Sequence, residues 1–307
     1  MSNHYELIIL GGGPAGLSAG LYAARNKTET LMIEKSMIGG LAVYADVIEN
    51  YPGFPDGISG MELAQLMLTQ AEKFGLKTLM AEIQELRLAG NTKTVRTSEG
   101  EFSARAVIIA MGSERINLNV PGEKEYVGRG VSYCATCDAA FYREKEVVVV
   151  GGGNSAISEA LHLAKFASRV SVIHRRDKWR ATPVFVDKAR NEPKMNFIMN
   201  TTVEAIEGGE FVEKLKLKNV LNGSLSEHRL DGIFVAVGQS PNTQLLEGTL
   251  PLDSGGYIKT NEKMETSWPG VLAAGDIRSN SIRQTITAAG DGATAAIYAD
   301  RFISGLG

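Results

Sequence analysis

The sequence predicts an α/β fold of two Rossmann-like, three-layer (ββα) nucleotide-binding domains, the second inserted into the first. Three observations carry this prediction. Two glycine loops, "GGGPAG" at 11–16 and "GGGNSA" at 151–156, each join an apolar run to small residues at helical spacing. The downstream pattern of hairpin, apolar strand and glycine then occurs twice. A last segment carries no glycine loop of its own and is left to complete the first domain.

Taken in order, "ELIIL" is a strand that runs into Gly11, and Ala15, Ala19 and Ala23 mark the packed face of a helix. "TLMIE" closes this βαβ unit at Glu34. "TKTVRTSEGEFSA" alternates like a hairpin, and "AVIIAMG" ends the half on an apolar strand. In the second half "EVVVV" leads into Gly151, Ala156, Ala160 and Ala164 mark the helix, and "VSVIH" ends at His174. "EKLKLKNVLNGSLSEHRL" is its hairpin and "IFVAVG" its closing strand. "GVLAAGDI" and the alanine-rich helix from Gln284 follow. The expected domains are 1–114 with 247–307, and 117–244.

The 307 residues suit two domains, and 44% apolar with 22% charged residues is an ordinary globular balance. A net charge of −3 gives no reason to expect nucleic acid. The histidines His4, His162, His174 and His228 lack metal-ligand spacing, so no metal is expected. No apolar run approaches the roughly 18–20 residues of a membrane span. The start, "MSNHYELIIL", reads as a first strand rather than a signal segment, and a cytoplasmic protein is expected.

In the first loop Gly11 permits the tight turn, Gly13 lets backbone approach a pyrophosphate, and Gly16 lets helix meet strand. A carboxylate at Glu34 accepts from ribose hydroxyls and repels a 2′-phosphate, which favours FAD or NAD. The second loop uses Gly151, Gly153 and Ala156. Its strand ends at His174 without an acid, and Arg175, Arg176 and Arg180 crowd the position with guanidinium forks that fit a phosphate. NADPH is expected there and FAD at the first loop. Both cysteines, Cys134 and Cys137, stand in "CATCD"; a lone C-x-x-C is catalytic or metal-binding, and no second ligand pair accompanies it.

These motifs, with "ENYPGF", "HRRDKWRA", "AVGQSPNT" and "AAGDIRSNSIRQTITAAGDGATAA", resemble the low-molecular-weight thioredoxin reductase family of the pyridine nucleotide–disulfide oxidoreductases over essentially the whole chain. The cysteine pair lies before the second loop, whereas larger reductases of the superfamily carry theirs after the first. The resemblance implies that NADPH reduces FAD, FAD reduces a Cys134–Cys137 disulfide, and the dithiol reduces thioredoxin. It makes Cys137 the cysteine facing the flavin, Cys134 the one attacking the partner, and Asp138 the general acid. It implies a homodimer and an inserted domain that rotates about its two crossings.

Carried over onto matching positions, the resemblance assigns Pro14, Ala15, Lys35, Gly40, Leu41, Asn50, Ala110, Gly112, Gly275, Asp276, Arg283, Gln284 and Thr285 to FAD. It adds Asn154, Ser155 and Gly238 to the NADPH set. Leu41 replaces a glutamine common in the family, which removes one polar flavin contact. Phe141, Tyr142 and Arg129 are candidate contacts for thioredoxin. The alternatives are a ferredoxin- or flavodoxin-linked flavin reductase, which does not need the cysteine pair, and a reductase of another thioredoxin-like protein, between which and thioredoxin the sequence does not choose.

Overall fold

The computed structural model describes residues 3–45 and 47–305. The chain divides into two compact units, at Glu114/Arg115 and again at Gln239/Ser240.

The first unit opens with β1 (His4–Leu10), α1 (Pro14–Arg25), β2 (Thr30–Glu34), α2 (Gly60–Lys73) and β3 (Lys77–Met80). β4 (Ile83–Arg87), β5 (Lys93–Thr97), β6 (Gly100–Ile109) and β7 (Ser113–Arg115) follow. β1, β2 and β3 pair in parallel, and β1 also pairs in parallel with β6. Leu7 to Leu10 and Leu31 to Ile33 are fully buried, as expected of central parallel strands covered on both faces.

The second unit holds β8 (Val131–Ser132), α3 (Ala135–Asp138), β9 (Glu146–Val150), α4 (Asn154–Leu163), β10 (Arg169–Ile173) and α5 (Pro183–Arg190). It continues with β11 (Met195–Ile198), β12 (Thr201–Gly208), β13 (Val212–Asn219), β14 (Leu225–Arg229) and β15 (Gly232–Val235). Its parallel sheet runs β11-β10-β9-β15-β8, and β12-β13-β14 form a separate antiparallel sheet.

The chain returns through β16 (Gln239–Pro241), β17 (Val271–Ala273) and α6 (Thr285–Ser304). β17 pairs in parallel with Val107–Ile109 at the end of β6, while β5 pairs antiparallel with the beginning of the same strand. The returning segment therefore completes the first unit's sheet. Leu246, fully buried, belongs to that unit's core with Leu250 and Ile258, so the second division falls ahead of the 244–247 read from the sequence. β7 and β16, the two crossings, pair with each other. Among the described residues no helix is long and apolar enough to cross a membrane.

Small residues hold α1 against α6. A Cβ on Gly292 would lie 2.0 Å from the Ala15 carbonyl oxygen, so backbone meets backbone there. Gly292→Ala should cost about 1–3 kcal/mol by overpacking and lower Tm by several degrees. Gly290 has nothing within 4 Å of its Cβ position, so Gly290→Ala should instead raise Tm through helix propensity, worth about 1 kcal/mol. Thermal scans of the two variants side by side check the contrast.

Candidate functional site

Each glycine loop is built by a strand end that turns into a helix too closely for side chains. A Cβ on Gly11, whose φ is 103°, would lie 2.4 Å from the Ala110 carbonyl oxygen, and one on Gly16 would lie 1.9 Å from that of Gly11. Gly13 caps α1 in extended conformation and Pro14 takes its first turn, where a missing N–H costs nothing. In the second unit a Cβ on Gly151 would lie 2.4 Å from the Ala236 carbonyl oxygen, and Gly153 caps α4 with nothing within 4 Å of its Cβ position.

At the end of β2, Glu34 accepts from the Gly12 N–H through Oε2 (2.8 Å) and from the Ser36 N–H through Oε1 (3.0 Å). The Ser36 hydroxyl also reaches Oε1 at 3.5 Å, and of about four carboxylate lone-pair sites the second one on Oε2 remains for a ribose hydroxyl. Lys35 points away to an exposed pair with Glu114 at 3.6 Å. Gly40 leans on the loop: its own Cβ would lie 3.1 Å from the Gly13 Cα. Leu41 opens the same short helical turn, Gly40–Tyr44. Beside the loop, Ala110 is buried and Gly112, at φ 64°, faces open space.

The returning segment adds a second group. Asn50 donates to the Gln284 Oε1 (3.1 Å), and Gln284 caps α6 ahead of Thr285. Asp276 accepts from the Ser281 hydroxyl (2.8 Å), and burial raises its carboxyl above the usual range. Arg283, at φ 60°, donates to the Tyr257 hydroxyl (3.0 Å) with its guanidinium over that ring. Gly275 donates to Asp291 (3.1 Å), and Asp291 is held by Arg278 in a buried bidentate pair. Sequence reading missed Asp291 and Arg278. The signal was an acid in the middle of an alanine-rich, inward-facing helix.

In the second unit, Arg180 and Ala181 donate their N–H groups to the Gly152 carbonyl (2.8 and 3.0 Å), which fastens the basic turn to the glycine loop. Asn154 accepts from the Thr182 N–H (2.8 Å), and Ser155 is exposed beside it. Gly238, at φ 126°, lies between β15 and β16, directly ahead of Gln239. Arg175, Arg176 and Arg180 are exposed and take part in no ion pair among the described residues. His174 is different. Its ring is 6% exposed, stacks on Trp179 at 5.3 Å, and hydrogen-bonds the Lys178 carbonyl through Nε2 (3.1 Å). Burial first, and then the three arginines, lower its pKa. The neutral ring thus donates to Lys178 and props up the turn, and the arginines supply the charge.

Cys134 and Cys137 form a disulfide, with S–S 2.20 Å and Cα–Cα 5.3 Å. Cys134 caps α3, and the Cys137 N–H donates to its Sγ (3.2 Å). Ser132 connects two of the functional groups: its hydroxyl donates to Asp138 Oδ2 (2.6 Å) and accepts from the Cys134 N–H (3.1 Å). Just ahead, Tyr133 donates to Glu123 Oε1 (3.1 Å), and Glu123 also takes the N–H groups of Leu118 and Asn119. Phe141 is half exposed, whereas Tyr142 packs edge-on against Phe234 in the core. Burial, with Asp138 and Asp231 nearby, pushes the Tyr142 hydroxyl up to about 12. Tyr142 is partly buried, its ring packed against the core. Arg129 is exposed over the Tyr126 ring.

The residues present fit two dinucleotides. Open Cβ positions at Gly112 and Gly153, extended caps at Gly13 and Gly153, and opposite charges at the two strand ends are what such ligands require. Among the described residues no cluster of three or more His, Cys, Asp or Glu could hold a metal.

The sequence profile of the family described as "Pyridine nucleotide-disulphide oxidoreductase" matches residues 5–292. A thioredoxin reductase of Listeria innocua is 45% identical over 303 residues, covering 98% of this chain and 95% of its own. One of Bacillus subtilis is 44% identical over 304 residues, covering 98% and 96%. The crystal structure of the thioredoxin reductase from Streptococcus pyogenes superimposes with a TM-score of 0.94 at 42% identity, covering 99% and 100%. The cysteine pair, the two glycine loops and these full-length likenesses place the chain in one family: it belongs to the thioredoxin reductases of the pyridine nucleotide-disulphide oxidoreductases.

Proposed function

We propose that the enzyme is an NADPH-dependent thioredoxin-disulfide reductase, with FAD held by the first unit and NADPH by the second. One observation carries the reading: a Cys134–Cys137 disulfide closes the turn beside Asp138, in the same unit as a glycine loop bordered by exposed arginines that take part in no ion pair among the described residues. Bound FAD would supply the relay of electron pairs from NADPH to that disulfide.

The chain's own residues do the rest. Gly11, Gly13 and Gly16 let α1 bring its N-terminal amides to a pyrophosphate, and Glu34 takes a ribose hydroxyl. The Asn50–Gln284 pair and Arg283 orient the segment that would border the flavin ring. Arg175, Arg176 and Arg180 clamp the 2′-phosphate, and His174 holds their turn in place.

In the exchange step, the Cys134 thiolate attacks a sulfur of the partner's disulfide. The new S–S bond forms as the partner's old one breaks. Asp138, fixed by Ser132, gives a proton to the departing sulfur. Cys137 then displaces the second partner sulfur and closes the bond to Cys134. The reduced partner leaves, and the enzyme is oxidised. A cytoplasmic setting belongs to the proposal, because a reducing compartment suits a disulfide that is turned over. The homodimer and the rotation of the inserted unit belong to it too; only two crossings join the units, as such a rotation needs.

Cys134→Ser and Cys137→Ser should each cut NADPH-driven thioredoxin reduction by about a thousandfold or more, while the protein keeps its flavin absorbance. Either variant turning over like wild type removes the proposal. Replacing Arg175, Arg176 and Arg180 with alanine should raise the KM for NADPH by about tenfold per lost charged contact and leave that for NADH nearly unchanged. Steady-state kinetics with both nucleotides decide this, and equal losses for the two would reject the phosphate clamp.

A further inference from the structure

A buried carboxyl beneath the cysteine turn has no part in the chemistry above. Glu159 lies on α4, whose core face is Ala156, Ile157, Ala160 and Leu163. Its carboxyl lies close to the backbone N–H of Ala135, the residue directly after Cys134, and that N–H acts on its pKa. Its Oε2 is buried and has no partner among the described residues. Glu123 in the same unit shows what a structural carboxyl looks like: both oxygens are engaged, by Leu118, Asn119 and Tyr133. Glu159 has been desolvated without that compensation, at the one place where sulfur changes charge.

We propose that Glu159 is a positioning residue for the redox couple, its carboxyl tying proton uptake at the cysteine turn to the opening and closing of the Cys134–Cys137 bond. The proposal rests on the pair being redox-active.

Burial raises the Glu159 pKa to about 7 against the lowering effect of the Ala135 N–H, so the carboxyl changes charge near neutrality. Several other charged groups stand on the elements packed against α4. They are Asp138 on α3, Tyr142 at the end of 139–142, and Asp187, Lys188 and Arg190 on α5. Glu146 and Arg169 begin β9 and β10, and His162 is on α4 itself. None of these is among the causes of the Glu159 shift, which are burial and one backbone N–H.

Reduction breaks the S–S bond, places two electrons from NADPH on the two sulfurs, and takes up two protons when both become thiols. With one sulfur left as thiolate, a single proton has been taken up. An ionised Glu159 disfavours that thiolate and a neutral one tolerates it. By the same coupling the thiolate raises the carboxyl's pKa, so Glu159 takes up part of the second proton. Below neutrality the carboxyl is neutral and the glutamine variant should match wild type. Above it the carboxylate should hold the thiol protonated in wild type only.

The test uses the full-length holoenzyme, reduced with dithiothreitol, desalted without air, and alkylated with iodoacetamide across the neutral pH range. Wild type should show a broadened rate profile. Glu159→Gln should collapse it to one inflection about one unit lower and alkylate severalfold faster just above neutrality. Glu159→Asp, which keeps the charge, should restore the broadened form. A glutamine variant with the wild-type profile overturns the proposal and leaves the redox reading intact. Cysteines that never become alkylatable after reduction overturn both. Should the glutamine variant not fold, the infrared difference between disulfide and dithiol forms of wild type with isotope-labelled glutamate carboxyls decides. A protonated-glutamate band that grows on reduction supports the coupling, and an unchanged band rejects it.

Discussion

The architecture depends on one close approach made twice: a helix begins where a strand has just ended, with backbone touching backbone. At Gly11 and Ala110, and again at Gly151 and Ala236, the space a Cβ would take is already occupied by a carbonyl just past the neighbouring strand, and at Gly16 by the carbonyl of Gly11 itself. That closeness aims the first turn of the helix, and its unpaired N–H groups, outward at the strand ends. Everything that bears on ligand choice follows from what lies at the next strand end, one residue for each unit. Glu34 places an acceptor there and His174 introduces a run of cations.

The two halves are related, yet they solve their sheets differently. In the first unit the ten residues of β6 are long enough to share an edge, so the antiparallel ribbon and β17 both attach to one strand. In the second the ribbon forms a sheet of its own. The inserted chain also carries the sulfur chemistry on a single helical turn. Ser132 links Asp138 to the backbone of Cys134, and the adjacent Glu123 anchors Tyr133. The turn is too short to stabilise itself, so these side-chain bonds hold its shape.

The strands and helices of both units were legible because continuous apolar runs and period-four alanines are strong local signals. The cysteine pair and the glycine loops were legible for the same reason: their meaning lies in contiguous residues. What escaped was set by contacts across long sequence separations. The Asp291–Arg278 pair supports Gly275 from the far helix; an acid inside an alanine-rich helix marks Asp291, but its partner lies thirteen residues away and outside that helix. His174 stands where a ligand contact was expected, but Trp179 and Lys178 draw its ring inward. Tyr142 looked like a surface aromatic, and the absence of a side chain at Gly232 lets its ring pack partly buried against Phe234. The position of the second division was blurred because Leu246 and Leu250 are apolar enough to suit either unit, and packing chose the first.

The chain holds two cysteines in all, and they are bonded to each other. A disulfide can shuffle only when a third sulfur is available to attack it. Mispairing within the polypeptide is thus ruled out by number rather than by geometry, however often the bond opens. Within the chain each opening has one way to reclose, and a simple titration of the isolated protein's sulfhydryl equivalents reads the oxidation state of the couple with no background to subtract.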